Sequence, residues 1–307
     1  MNAPFVPNRP WRDFAVVTLA YLVGFVVAGA VVNALPAEWH PIAVFALADV
    51  AATVAVFAFS FANDNTSFYD PYWSVAPVVI AVWLALGPGA ARGLDARQVA
   101  VLALVTLYGV RLTFNWARGW AGIRHEDWRY VEFRQKTGKA YWLVSLSALH
   151  LFPTVMVLLG CLPLHAALVA PATPFGLLDV VAVVVTLAAI VIEALADEQL
   201  RAFRRSKRAD GDICTVGLWS WSRHPNYFGE MSFWFGLWLF GVANGAPWWG
   251  ALGWVAMVVM FVGATIPMAE KRSLARRPHY ADHQKRVSMV LPLPPKKAPA
   301  SEPAPSR

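Results

Sequence analysis

From Met231 to Met268 the chain carries no charged residue, and an apolar stretch of that length has little place in a water-soluble fold. A spanning helix needs about 20 predominantly apolar residues to cross roughly 30 Å of hydrocarbon, so this run is long enough for two crossings. Asn244-Gly245-Ala246-Pro247 at its middle has the composition of a turn, which makes the run a helical hairpin. The same test finds six more runs. Phe14 to Leu35 and Trp73 to Ala91 are uncharged, Pro41 to Ala62 holds only Asp49, and Gln98 to Trp116 holds only Arg111. Gly176 to Ile192 holds only Asp179, and Trp142 to His165 holds no Asp, Glu, Lys or Arg, only two histidines. The expected fold is all-α, a polytopic transmembrane helix bundle of about eight spans, with no separate soluble domain.

The distribution of positive charge orients that bundle. Cytoplasmic loops carry the excess of Lys and Arg. With the N-terminus inside, 23 of the 26 basic residues fall on inner segments, Arg92 and Arg97 fall on outer ones, and Arg111 lies within a helix. Both termini are therefore expected in the cytoplasm, and the net charge of +7 is explained by orientation and attraction to membrane lipid. The charges recur at alternate crossings with no nucleic-acid motif beside them, so no nucleic-acid partner is expected. The first run is longer than a secretory signal core and reads as an uncleaved helix. Cys161 and Cys214 suggest neither a disulfide nor a thiolate metal site. After Pro292 the chain is rich in Pro, Ala, Ser and Lys and is expected to be disordered. The expected divisions are N-terminal membrane helices over 1–116 as the substrate side, a second membrane domain with the cofactor site over 117–291, and the tail over 292–307.

Polar side chains are costly within a membrane and mark candidate sites. Asn63 to Trp73 forms a first island. It reads either as an interfacial loop with an aromatic belt or as a wall of a substrate cavity in which Tyr69 or Asp70 acts as catalytic proton donor. Asp49 is a further candidate, with Arg111 a possible counter-ion to either carboxylate. A second island places Arg111, Asn115 and Arg118 on one helix face. His125, Glu126 and Asp127 follow it, but without the partners a metal site needs, and no metal is expected. In a third, Glu193, Asp197, Arg201 and Arg204 share one face at the end of the sixth run. They read either as a salt-bridged helix end or as carboxylates and guanidiniums holding ribose and phosphate. In the fourth, Pro225 disfavours helix at His224 and suits the first turn of the next helix. Arg223 and His224 thus precede a helix N-terminus, Asn226, Tyr227 and Glu230 lie within its first turns, and such an end suits phosphate.

The stretch from Glu193 to Glu230, with Glu270 to Tyr280, resembles the reductase domain of steroid 5α-reductases and sterol reductases, particularly their bacterial branch. The resemblance implies a membrane-embedded enzyme that uses NADPH to reduce a carbon-carbon double bond in an apolar lipid: steroid-like, enoyl or prenoid. Asn226-Tyr227-Phe228-Gly229-Glu230 looks like that family's nicotinamide-side motif. Asp197, Arg201 and Arg204 match its helix for ribose and phosphates, and Arg276 and Tyr280 fall in its closing segment. Arg223-His224-Pro225 with Tyr227 and Gly229 also resembles the isoprenylcysteine and phospholipid methyltransferases, which use S-adenosylmethionine. The expected partners are a lipid-soluble substrate and membrane lipid, with no obligate protein partner. The expected location is a bacterial inner membrane.

Overall fold

The computed structural model describes residues 10–87, 93–170, 173–206, 211–277 and 279–296. Arg9, Arg92 and the tail beyond residue 296 lie outside the described residues. The all-α expectation holds: among the described residues there is no strand, and Ser222 and Ser288 make an isolated parallel bridge. Seven helical segments among those residues are long and apolar enough to cross a membrane. They are Trp11–Ala34, Pro41–Ala62, Thr66–Leu86, Ala96–Gly119, Trp128–Leu168, Leu177–Arg205 and Trp248–Arg276. The chain is a multi-pass integral membrane protein. The first arm of the hairpin expected over Met231 to Met268 is helical as well (Pro225–Ala243), but it is not among the seven, and Asn226 and Glu230 near its start lower its apolarity.

The chain divides into two compact units, 1–183 with 237–253, and 184–236 with 254–307. Residue 116 lies within the helix Ala96–Gly119 of the first unit. In that unit α1 (Pro10–Ala34) and α2 (Pro41–Ala62) pack against each other, with Gly24 facing Ala52 and Val56. A short 3-10 turn, Thr66–Tyr69, leads into α3 (Tyr72–Leu86). Helix α4 (Ala96–Gly119) starts with a capping box in which Asp95 and Gln98 each accept from the other's backbone amide. It packs against α3 at Gly109, where a Cβ would stand 2.6 Å from the Ser74 carbonyl. Then come α5 (Trp128–Thr137), α6 (Tyr141–Val144) and α7 (Phe152–Leu168), the last two joined by the π-helical turn Ser145–Leu151.

Arg97, read from sequence as an outer-loop charge, is 1% exposed. Its guanidinium donates to Asp179 Oδ1 at 2.6 Å and to Oδ2 at 2.9 Å, and to Asn244 Oδ1 at 2.7 Å. Asn244 also accepts from the Thr173 amide and donates to Ala166 O. A charge that would be costly to bury alone is thus neutralised and hydrogen-bonded.

The second unit contains the end of α8 (Leu177–Arg205), the start of α9 (Pro225–Ala243), most of α10 (Leu252–Met260), α11 (Ile266–Arg276) and α12 (Tyr280–Arg286). Helices α8 and α9 approach closely at Gly229, where an added Cβ would lie 2.7 Å from Glu193 Cβ and 2.9 Å from Ala189 O. The Arg223 amide bonds to Ser288 O, the Leu293 amide to Trp221 O and the Lys296 amide to Arg286 O. The chain therefore stays hydrogen-bonded past Pro292, where disorder was expected to begin.

Candidate functional site

Among the described residues, each unit holds a cavity with candidate chemistry. In the second unit a cavity of about 250 Å³ is lined by Leu200, Phe203, Arg204, Ile213, Cys214, Trp219, Arg223, His224, Asn226, Tyr227, Ser273, Arg277, Tyr280 and His283. Six of the ten cofactor positions read from sequence are in that lining: Arg204, Arg223, His224, Asn226, Tyr227 and Tyr280. The chain folds them together because Pro225 starts α9 immediately after Arg223 and His224. The C-terminal segment then returns to the same place through the Ser222 and Ser288 bridge. The other four stand outside the lining. Asp197 and Arg201 are half-buried on the preceding turns of α8, with Arg201 3.9 Å from Glu198. Glu230 is buried and accepts from Trp234 Nε1 at 2.9 Å. Arg276 is exposed, and its neighbour Arg277 takes the place in the lining.

Glu270 organises one wall. Arg223 donates to it from Nε at 2.6 Å, Gln284 donates at 2.7 Å, and His224 Nε2 lies 3.1 Å away. Arg223 also bonds the carbonyls of Gln284 and Val287, so this guanidinium ties α12 to the start of α9. The His224 ring stacks on Tyr227 at 5.4 Å. Burial, reinforced by the Glu270 charge, pushes the Tyr280 phenol up to about 12. Burial and the nearby Arg223 and Arg286 hold His283 below the ordinary imidazole range. At neutral pH the lining thus offers guanidiniums, a neutral imidazole and a protonated phenol. Asn226 Oδ1 is buried with no hydrogen-bond partner, and a buried acceptor left unpaired is costly. A cavity with cationic walls and an unsatisfied amide oxygen suits an anionic ligand that also carries an amide or amine donor.

In the first unit a larger cavity of about 380 Å³ lies among α1, α2 and α3. Its lining is apolar except for Asn33, Asp49 and Tyr72. Tyr72 donates to Asp49 Oδ1 at 2.6 Å, while Asp49 Oδ2 is buried without a partner. The catalytic candidates read from sequence lie elsewhere. Tyr69 is buried with its hydroxyl 2.6 Å from Thr154 Oγ1, and its ring stacks on Tyr72 at 4.9 Å. Asp70 accepts from Tyr130 at 2.5 Å. Neither lines the cavity. Asp49, noted as a further candidate, and Tyr72 do. The partner of Asp49 here is a phenol 23 positions along the chain. The His125 to Asp127 run is structural: Glu126 accepts from the Thr66 amide, Tyr141 and Arg134, and Asp127 caps α5. Among the described residues no group of three or more His, Cys, Asp or Glu side chains could hold a metal.

A family model described as "Protein of unknown function (DUF1295)" matches residues 56–287, well over half of the chain. The chain belongs to the DUF1295 family. The DUF1295 match includes every residue lining the second unit's cavity and the α3 wall of the first, Tyr72 among them, whereas Asp49 precedes it. The chain is also similar to the uncharacterized protein C594.04c of Schizosaccharomyces pombe. The two are 29% identical over 254 residues, which cover 75% of this chain and 73% of the yeast protein. No solved structure matches.

Proposed function

We propose that this DUF1295 protein is a membrane-embedded, NADPH-dependent reductase that saturates a carbon-carbon double bond in an apolar lipid: steroid-like, enoyl or prenoid. The observation that carries the reading is the second unit's cavity, whose lining gathers four positions that the steroid 5α-reductase resemblance assigns to the cofactor, Arg204, Asn226, Tyr227 and Tyr280, beside Arg223 and His224, with the buried, unpartnered Asn226 Oδ1 among them. The residues fit the group. Arg204 and Arg277 supply charge for phosphates, since guanidiniums bind them bidentately. Asn226 Oδ1 accepts an amide N-H, as the nicotinamide carboxamide presents. The stacked His224 and Tyr227 rings form a flat aromatic wall. When bound, NADPH supplies a hydride.

Saturating a conjugated double bond also requires a proton and a group that stabilises the enolate oxygen. In the first unit the Tyr72 phenol and Asp49 Oδ2 are suited to both tasks. Asp49 orients the phenol through its Oδ1, and its other oxygen is left to meet the substrate. In this reading the acid is the Tyr72 and Asp49 pair, while Tyr69 stacks behind Tyr72 as its support. The apolar helices that form the cavity exclude water.

Parallel titration of the purified, detergent-solubilised protein with NADPH and with S-adenosylmethionine tests the proposal. Saturable binding of NADPH alone, weakened in Asn226→Ala, is the expected result. Saturable binding of S-adenosylmethionine alone would make the Arg223 to Glu230 segment part of a methyl-transfer site, as in the methyltransferases it also resembles.

A further inference from the structure

Every amide in the first turn of α2 ends on His40. Pro41 brings no N-H, the Ile42 amide donates to His40 Nδ1 at 3.2 Å, and the Ala43 and Val44 amides donate to His40 O at 2.8 and 3.2 Å. The side-chain bond is an N-cap, a place usually held by Ser, Thr, Asp or Asn. Histidine differs from those residues in how it loses its acceptor. The neutral ring has one acceptor nitrogen, and Nδ1 is that atom only while the proton sits on Nε2. The imidazolium carries N-H on both nitrogens and accepts nothing. Protonation of His40 therefore removes the cap, and it places a cation at the positive end of the helix dipole.

The His40 ring also meets a second imidazole. His165, in the last turn of α7, has its ring centroid 4.7 Å from that of His40, with the planes 38° apart. Charges on both rings would repel across this contact. Around the pair, Glu38 stands two residues before His40 and is exposed. Where α4 meets the end of α7, Gln98 donates to Leu168 O, Asp95 caps α4 and Arg97 is paired with Asp179. Segments 35–40 and 165–176 contain no Lys or Arg, so the charge distribution assigns both histidines to the outer side. Just past the capped turn, Phe45 is buried and lines the first unit's cavity, followed on α2 by Ala48, Asp49 and Ala52.

We propose that His40 and His165 form an acid-sensitive latch on the outer side of the first unit: the capped turn and the packed rings hold Phe45 in the cavity wall, and acid on that side releases the turn and opens the wall. The latch is independent of the reductase reading. Histidine is the side chain that ordinarily titrates between pH 5 and 8, which sets the window for the test.

Hydrogen exchange of the Ile42 to Phe45 amides, in the full-length protein in detergent at pH 8 and at pH 5, reads the latch directly. His40→Asn supplies a cap that does not titrate in this window. Pro41 separates the substituted residue from Ile42, so the ratio of parent to variant rates cancels the intrinsic pH dependence of exchange. That ratio is expected to rise about 3- to 30-fold from pH 8 to pH 5, the usual worth of a side-chain cap. His165→Phe keeps a ring at the contact without the charge and should reduce the rise. In a Phe45→Cys background, alkylation at that position by a water-soluble maleimide, followed by peptide mass spectrometry and again taken as a ratio to the His40→Asn double variant, should rise in step. A ratio of exchange rates that is equal at the two pH values would overturn the latch. A rise unchanged in His165→Phe would remove His165 from it, and faster exchange without faster alkylation would overturn its link to the cavity.

Discussion

The phenol of Tyr72 donates to Asp49 Oδ1 at 2.6 Å, pairing the first turn of α3 with a carboxylate in the middle of α2. Removing either partner should stop proton delivery without disturbing the cofactor cavity. Tyr72→Phe and Asp49→Asn are each expected to lower kcat by about 10²- to 10⁴-fold, the usual contribution of a positioned general acid. NADPH affinity should remain within twofold. Stopped-flow oxidation and equilibrium titration on the same preparations check both halves. Tyr69→Phe, which keeps the stacked ring, should cost far less.

Asn226 and Arg204 should separate two kinds of cofactor contact. Asn226→Ala removes a neutral acceptor and is expected to weaken NADPH binding about 2- to 10-fold. Arg204 is exposed at the cavity edge, where solvent screens its charge, so Arg204→Ala should cost about 3- to 10-fold. Only the Arg204 effect should shrink as salt rises. Fluorescence titration at two ionic strengths distinguishes them.

His283 should make cofactor binding depend on pH. Burial, then Arg223 and Arg286, hold its imidazole below the ordinary range, so it is neutral in the ligand-free protein at pH 7. A bound phosphate favours the imidazolium and raises this group's proton affinity. The complex thus holds more protons than the free protein, and affinity is expected to rise as pH falls below about 7. His283→Gln should remove that part of the slope. Calorimetry at pH 6 in buffers of different ionisation enthalpy measures the proton uptake directly.

Arg97 and Asp179 should matter to stability and not to chemistry. Their side chains are 1% and 2% exposed, and leaving one buried charge unpaired costs about 3 to 5 kcal/mol. Asp179→Asn is expected to lower the melting temperature sharply, whereas Arg97→Met with Asp179→Leu should recover much of the loss. Thermal unfolding in detergent, with cofactor affinity as a control, reports the difference.

What the sequence reveals here is what repeats at short range. Uncharged runs mark the spans, Asn244 to Pro247 marks the turn after α9, and Pro225 marks where α9 begins, because each signal lies within a few residues of its effect. The Arg223 to Tyr227 cluster was legible for the same reason. The Tyr72 and Asp49 pair and the Arg97 and Asp179 pair join residues 23 and 82 apart, and no local periodicity encodes which helices meet. Arg97 looks like a loop charge until α8 and the end of α9 provide its acceptors. Arg276 is the last residue of α11, whereas Arg277 caps it in an extended conformation. A one-residue difference there turns a guanidinium from solvent into the cavity.

The most direct test of the reductase assignment follows the transferred atoms. The purified protein, reconstituted with a lipid extract from its native membrane, would be given NADPH deuterated at the nicotinamide C4, and in a second reaction unlabelled NADPH in D₂O. The expected result is one lipid whose saturated product gains one deuterium from the cofactor in the first reaction and one carbon-bound deuterium from solvent in the second. Oxidation of NADPH with no deuterium in any lipid, or a lipid that gains a methyl group when S-adenosylmethionine is supplied instead, would contradict it.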